Sequence, residues 1–166
     1  IKPIAYQYGL YLGLLSIIGL VIMYVANIEK SWIMSIISLI LTIVIYVYGI
    51  KAYQKANYNF LSIKEAIKVG LGMAAVGGVI AALYTFIHYS YIQPEFIENI
   101  REQSYIEMTK KNPNMVGEQL DTALKMMNFF TSPFFMSTMI LISSLFFGLI
   151  ISLITGAILK KENTHA

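Results

Sequence analysis

The stretch from residue 62 to residue 91, SIKEAIKVGLGMAAVGGVIAALYTFIHYSY, decides how the rest of the chain is interpreted. Its segment GLGMAA, residues 70 to 75, matches the glycine pattern of a dinucleotide-binding turn, which needs a strand before the glycines and a helix after them. Ser62 and Glu65 instead form the S-x-x-E pattern of a capping box, which begins a helix. Gly70 then lies two turns inside that helix, so the sequence favours a helix over a phosphate-binding turn.

Four long segments of the chain carry no charged residue. The gaps between successive charges hold 26 residues after Lys2, 20 after Lys30, 26 after Lys68 and 34 after Lys125. A spanning helix needs about 20 mostly apolar residues, so each gap holds one span. The predicted spans cover residues 7–26, 32–50, 67–91 and 133–159, and an extramembrane helical segment covers residues 92–132.

Composition supports the same fold class. Hydrophobic residues make up 57% of the chain and charged residues 13%, whereas a soluble domain has about 25% charged residues. We therefore predict an all-α integral membrane protein with one membrane domain over residues 1–166. The first apolar run lacks an A-x-A-like exit and is followed by further apolar runs, so we expect a retained span there rather than a signal peptide. Cysteine is absent, which excludes disulfides and thiolate sites.

The segment from residue 92 to residue 132 is predicted to form a helical hairpin between the third and fourth transmembrane helices. Pro94 suits the first position of a helix, and Asn112-Pro113-Asn114 interrupts the pattern. Thr131 or Ser132 is expected to cap the fourth span. The apolar stripe of the second hairpin helix comprises Val116, Leu120, Ala123, Leu124 and Met127. This hairpin could cap the bundle, lie along the outer leaflet, or present residues 94–128 to a protein partner.

The distribution of lysine and arginine predicts orientation. One side carries seven basic residues: Lys2, Lys51, Lys55, Lys64, Lys68, Lys160 and Lys161. The other carries five: Lys30, Arg101, Lys110, Lys111 and Lys125. By the positive-inside rule we expect both termini to be cytoplasmic and the hairpin at residues 92–132 to be extracytoplasmic.

Small residues recur at helical spacing within the predicted spans. Because lipid is as apolar as leucine, helices in a bilayer associate through close backbone approach, which small residues permit. The predicted helix-packing residues are Gly9, Gly13, Gly70, Ala74, Gly78, Ala82, Gly148, Ser152 and Gly156. We expect these faces to pack within the monomer, and one of them could also join the subunits of a homo-oligomer. Gly72 lies off the stripe and has no predicted partner.

Aromatic residues gather near the span ends, where amphipathic rings suit the headgroup boundary. Trp32 and most of the 12 tyrosines, Tyr46 among them, are assigned to such belts. Tyr84 lies deeper, and His88 lies one turn further along the same helix. These two are either interfacial residues or the lining of a cavity that handles a proton or a ligand. The other histidine, His165, follows the last span.

No chemistry-bearing constellation is present in the sequence. Apart from Lys68 at the start of the third span, the spans contain no Asp, Glu, Lys or Arg, which disfavours an ion-coupled transporter. No catalytic motif and no metal-ligand spacing can be identified, so we expect no catalytic residues, no cofactor and no bound metal. The basic residues form no stripe interleaved with aromatics, so the expected surroundings are the lipid bilayer and no nucleic acid.

The chain resembles the bacterial membrane family called domain of unknown function 4199. The resemblance rests on SIKEAIKVGL, YTFIHYSYIQPEFIE, MMNFFTSPFF and FGLIISLITGAILKK, and it extends over nearly the whole chain. It implies four spans and residence in the bacterial inner membrane, but no activity. The first functional hypothesis is a non-enzymatic accessory, scaffold or envelope-maintenance protein acting through helix contacts. The alternative is a small carrier or passive channel for an uncharged or lipid-like solute.

Overall fold

The computed structural model describes residues 1–28 and 31–161. Within those residues the chain forms six α-helices: α1 (Lys2–Val25), α2 (Trp32–Ala56), α3 (Ile63–Ile87), α4 (Pro94–Lys111), α5 (Glu118–Phe130) and α6 (Pro133–Leu159). A π-helical turn, His88–Ile92, continues α3. Four residues that the sequence analysis used for the charge distribution or as a histidine lie outside the described residues: Glu29, Lys30, Glu162 and His165.

The predicted fold class is confirmed: the described chain is all-helical with four helices long and apolar enough to cross a membrane. These are Lys2–Val25, Trp32–Ala56, Ile63–Ile92 and Pro133–Leu159. The second ends six residues later than the sequence analysis placed it, because the helical hydrogen bonds continue past the apolar run into residues 51–56. Long polar side chains there can extend away from the apolar region while the backbone stays helical.

Both ends of the predicted hairpin segment have the expected local structure. Pro94 begins α4, and the chain breaks between Lys111 and Glu118. The Ser132 hydroxyl accepts a hydrogen bond from the Phe135 amide at 3.2 Å, so Ser132 rather than Thr131 caps α6.

Val116 lies before α5 and is exposed, so it does not belong to the apolar stripe of that helix. Gly117 has a φ of 61°, which turns the chain before α5 begins.

The chain divides into two compact units, Ile1–Ala81 with Ile140–Ala166 as unit 1 and Ala82–Met139 as unit 2. Unit 1 contains α1, α2, most of α3 and most of α6. Its buried core is formed by Leu12, Tyr46, Ile50, Leu61, Ala66, Val69, Met73, Ala74 and Ile151. Unit 2 contains the end of α3, the π-helical turn, α4, α5 and the first turns of α6.

In unit 1, α3 and α6 pack along an antiparallel seam of small residues. Its four pairs are Ala66–Gly156, Gly70–Ser152, Ala74–Gly148 and Gly78–Ser144, each one helical turn from the next. A Cβ atom added at Gly156 would lie 2.6 Å from the Ala66 Cβ, a separation that real Cβ atoms do not reach. The Ser144 hydroxyl donates to the Ala74 carbonyl at 3.0 Å and so links the two helices. Close backbone contact and one such hydrogen bond are what hold helices together in lipid.

A second face of α3 packs against α1, and there the two helices run parallel. Gly9 lies against Val76, and Gly13 lies against Ile80. Gly72, the glycine without a predicted partner, lies beside Ala5: a Cβ added at Gly72 would be 3.0 Å from the Ala5 Cβ. Helix α3 is therefore the centre of unit 1, with α6 on one small-residue face and α1 on another.

The helices of unit 1 are clasped at the end where Leu61 and Lys161 meet. The two residues exchange backbone hydrogen bonds of 2.9 Å in both directions. The predicted capping box is present beside them, since the Ser62 amide donates to Glu65 Oε2 at 2.8 Å and the Glu65 amide donates to the Ser62 hydroxyl at 3.2 Å. The Gln54 side chain donates to the Leu159 carbonyl at 3.0 Å and joins α2 to α6. We call this end of unit 1 the clasped end.

Candidate functional site

One face of α2 carries a row of hydroxyl side chains. Ser35, Ser38, Thr42 and Tyr46 follow the spacing i, i+3, i+7 and i+11, which places them on one side of the helix. Ser143 and Ser144 of α6 and Ser16 of α1 lie across from this row. These seven residues bring their hydroxyl groups together inside the part of unit 1 that the hydropathy assigns to the membrane.

The hydroxyl side chains line a cavity of about 590 Å³ between α2 and α6. Leu12 of α1 and Gly77 of α3 lie on the same cavity. We call this cavity the hydroxyl groove. Its volume falls within the range of small-molecule pockets, roughly 300–1,000 Å³. Its lining residues include no Asp, Glu, Lys or Arg, so the groove is polar through neutral groups alone.

The hydroxyl groups of the groove differ in their hydrogen bonding. Ser16 donates to the Leu12 carbonyl at 3.2 Å and Ser35 donates to the Ser31 carbonyl at 3.0 Å. Ser144 makes the cross-helix bond to Ala74 described above. The remaining four make no hydrogen bond within residues 1–28 and 31–161: Ser38, Thr42, Tyr46 and Ser143. A hydroxyl group in apolar surroundings without a partner costs free energy, so these four groups favour a polar occupant.

The groove is closed at one end and open at its side. Tyr46 is 2% exposed, and Ile151 and Leu12 beside it are buried, so the groove ends there, towards the clasped end. Along the side, Leu39, Ile140 and Phe147 are exposed, and Phe147 retains 54% of its accessible surface. These exposed residues on the rim are apolar. The groove therefore opens laterally, across a surface suited to lipid.

A smaller cavity of about 330 Å³ lies between α1 and α2 and shares Ser16, Ser35 and Ser38 with the groove. The buried residues of α1 and α2 all lie towards the clasped end: Ala5, Gly9, Leu12 and Gly13 in α1, and Tyr46, Gly49 and Ile50 in α2. The two helices are thus closely packed at the clasped end, and cavities line them beyond it. The small residues Ser35, Ser38 and Thr42 of α2 line these cavities.

Tyr46 is buried, although its position near the end of α2 predicts an interfacial side chain. The sequence placed it in an interfacial belt, but the structure buries it, and that assignment is wrong for this residue. The physical reason is Gly148 of α6: a Cβ added there would lie 2.6 Å from the Tyr46 hydroxyl oxygen. The missing side chain at Gly148 leaves room for the tyrosine. The four-residue spacing of Ser38, Thr42 and Tyr46 indicates that they share one face of α2. The sequence of α2 alone does not reveal which helix lies opposite that face.

None of the nine predicted packing residues lines the groove. Two residues beside Gly78 do: Gly77, which precedes it in α3, and Ser144, which faces it from α6. Eight of the nine lie in unit 1 on the α1 and α6 sides of α3 or on the facing helices. The ninth, Ala82, belongs to unit 2 and is half-buried. The role of these residues in stability stays a prediction.

Tyr84 and His88, the predicted cavity pair, belong to unit 2. Their ring centroids are 5.6 Å apart, and His88 also lies 5.2 Å from the Tyr89 ring in an edge-on arrangement. The His88 side chain is buried, and its Nε2 lies 3.2 Å from the Gln93 side-chain oxygen. The π-helical turn allows this contact, because its backbone bond from the Gln93 amide to the His88 carbonyl brings residue i+5 back over the histidine. Neither residue lines the hydroxyl groove.

No three His, Cys, Asp or Glu side chains in the described part of the chain form a group that could hold a metal ion.

Among curated proteins and among solved structures, no significant match is found. A family model described as "Protein of unknown function (DUF4199)" matches residues 7–161. That range covers α1 from residue 7 onward, the other three apolar helices, the helical hairpin and the hydroxyl groove, and it confirms the resemblance identified in the sequence. The chain belongs to the DUF4199 family.

Proposed function

We propose that this protein is a non-enzymatic, multi-pass protein of the bacterial inner membrane that binds a lipid-like molecule in the hydroxyl groove. The observation that carries the proposal is the set of four hydroxyl groups without a hydrogen-bond partner, Ser38, Thr42, Tyr46 and Ser143, on the wall of an otherwise apolar cavity. A bound molecule that supplies oxygen or nitrogen atoms would satisfy these groups, because each hydroxyl can both donate and accept.

The lining of the groove indicates the chemistry of its ligand. Apolar residues such as Leu39, Ile140 and Phe147 suit an alkyl or isoprenoid chain. The absence of charged residues on the wall disfavours an ionised head group, because an unpaired charge would lose its hydration there without gaining a counter-ion. The ligand class that fits is an amphiphile with a neutral hydrogen-bonding group, such as an alcohol, an ester or an amide.

The shape of the groove supports a binding protein or carrier over a pore. A pore needs a path through the bundle, whereas this groove ends at Tyr46 and Ile151 and opens at its side. With the orientation expected from the lysines, the closed end faces the cytoplasm and the opening lies in the outer half of the bilayer. A ligand would then enter from the lipid of that leaflet.

The accessory or scaffold hypothesis receives less support from the same structure. It relied on small-residue faces that could join another protein, but the seam pairs α3 with α6, and Gly9 and Gly13 pair α1 with α3. Those faces are occupied within unit 1. A partner acting through residues 94–128, and a homo-oligomer, remain predictions that would need other surfaces.

The proposal is tested by removing the hydroxyl groups while keeping the shape of the groove. The variant Thr42→Val/Tyr46→Phe removes two of the four unpartnered hydroxyl groups with little change in volume. The control is Tyr48→Phe, which removes a hydroxyl from the same helix at a side chain that is 62% exposed. Each protein is purified in lipid nanodiscs, and the bound lipids are identified by native mass spectrometry.

The expected result is a neutral amphiphile that is retained by the wild-type protein and by the control and is lost several-fold from the double variant. An equal yield of the same lipids from all three proteins would contradict the proposal. Comparable thermal stability of the double variant and the control excludes unfolding as the reason for any loss. A retained protein partner without retained lipid would instead favour the scaffold hypothesis.

A further inference from the structure

Unit 2 exposes a continuous apolar surface where α5 meets α6. Phe129, Phe130 and Phe135 contact one another, with ring centroids 5.0 to 5.5 Å apart. Phe134 adjoins them at the start of α6 and is 66% exposed, and Phe130 is 49% exposed. We call Phe129, Phe130, Phe134 and Phe135 the phenylalanine cluster. Exposed aromatic surface of this extent marks a contact with a partner or a membrane.

The charge pattern identifies which kind of contact this is. The uncharged segment that contains α6 begins at Met126, seven residues before the helix starts at Pro133. The charged residues of α5, Glu118, Asp121 and Lys125, all precede Met126. A protein-binding surface is usually bounded by a polar rim. Here the apolar surface instead runs from the last turns of α5 into a membrane-spanning helix without a charge between them.

The length of α6 places the cluster at the edge of the bilayer. Its 27 residues extend about 40 Å at 1.5 Å per residue, whereas the hydrocarbon core is about 30 Å thick. Lys160 and Lys161 directly follow α6 at its other end, so the excess length lies at its first turns, which reach the headgroup region. Only Thr131 and Ser132 separate α5 from α6, so the end of α5 must lie at nearly the same depth.

Helix α4 holds this junction in place. Arg101 Nε donates to the Thr131 hydroxyl at 3.0 Å, and Arg101 Nη2 lies 3.5 Å from the Asn128 carbonyl oxygen. Thr131 in turn donates to the Met127 carbonyl at 2.8 Å. The turn is thus fixed on its polar side. Phe129 and Phe130, which carry no polar group, project from the same turn and remain exposed.

From these observations we propose that the last turns of α5, Met126–Phe130, insert into the boundary between lipid headgroups and acyl chains. The phenylalanine cluster then anchors the helical hairpin to the bilayer surface, while the charged first turns of α5 stay in water. The occupant of this surface is lipid, and the proposal does not depend on the hydroxyl groove or its ligand.

Fluorescence quenching by lipid tests the proposal, because Trp32 is the one tryptophan of the chain. Trp32→Phe provides a tryptophan-free background, into which Phe130→Trp is introduced. The matched control is Gln103→Trp in the same background, at an exposed residue of α4 with no charge. Both proteins are reconstituted into nanodiscs whose lipids carry bromine near the top of the acyl chains.

The proposal requires the fluorescence of the Phe130→Trp variant to be quenched several-fold more strongly than that of the control and to be shifted to shorter wavelength. Quenching of a Phe129→Trp variant should match that of Phe130→Trp, which guards against a local distortion at one site. Quenching at both cluster positions no stronger than at Gln103→Trp would overturn the proposal. Shielding of both positions from the brominated lipid by a co-purified protein would overturn it as well, since the surface is assigned to lipid.

Discussion

Gly148 is a single residue on which three helices of unit 1 converge. Its missing side chain admits both the Ala74 Cβ of α3 and the Tyr46 hydroxyl of α2, each 2.6 Å from the position that a Cβ would take. The position is therefore occupied on two sides by different helices. A side chain added at Gly148 would therefore displace α2 or α3.

Gly148→Ala is predicted to destabilise the protein by about 1–3 kcal/mol, the usual cost of adding a methyl group to a filled core. Gly19→Ala is the matched control, since a Cβ at Gly19 of α1 would meet nothing within 4 Å. The measurement is thermal unfolding in detergent. Equal melting temperatures for the two variants would contradict the close packing at Gly148.

Helix α4 is joined to the turn between α5 and α6 by one arginine. Arg101 reaches from α4 to Thr131 and Asn128, and in the described residues of unit 2 these are the hydrogen bonds that join α4 to the turn before α6. Arginine suits this role because its planar group donates in several directions from one position. Helix α5 contributes few buried contacts, since none of its residues is buried.

Arg101→Ala is predicted to loosen that turn and to cost about 1.5 kcal/mol, the lower range for hydrogen bonds to a charged group. Hydrogen exchange of the amides of residues 127–132 should become faster than in the wild type. Glu102→Ala, which changes an exposed neighbour on the same helix, serves as the control. Unchanged exchange in both variants would mean that packing, and not Arg101, holds the turn.

The helix directions within unit 1 agree with spans that cross in alternating directions. Helix α3 runs parallel to α1 and antiparallel to α6, as expected when every span crosses in the opposite direction to the one before. The distribution of basic residues then predicts which side the termini occupy. Seven lysines lie on the side of the termini, among them Lys160 and Lys161, which directly follow α6.

Topology reporters test this orientation. A reporter inserted at Asn114, between α4 and α5, is predicted to be extracytoplasmic, whereas a reporter fused after Lys161 is predicted to be cytoplasmic. The physical basis is the retention of lysine and arginine on the cytoplasmic side during insertion. Signals from the same compartment would contradict the arrangement of four spans, and signals from reversed compartments would contradict the orientation alone.

Local features of the chain were open to prediction from its sequence. The uncharged gaps identified the four helices that are long and apolar enough to cross a membrane, because apolar length is what a spanning helix requires. The capping box of Ser62 and Glu65 predicted the start of α3, because these side chains bond backbone amides of the first turn. Pro94 predicted the start of α4, because proline lacks the amide that would have no partner there. Each of these features depends on residues that are neighbours in the chain, and each is present in the structure.

What faces each helix depends on packing between segments that are distant in the chain. Gly72 gained a partner in Ala5, and Tyr46 moved from an expected belt into the core, only because α1 and Gly148 of α6 lie opposite them. The hydroxyl groove likewise depends on the separation of α2 from α6, which no single helix determines. The four helices long and apolar enough to cross a membrane could be located from the sequence alone, since hydropathy and backbone hydrogen bonding act locally. Packing between distant segments determined where the protein has space for a ligand, since a cavity exists only between helices that have already been brought together.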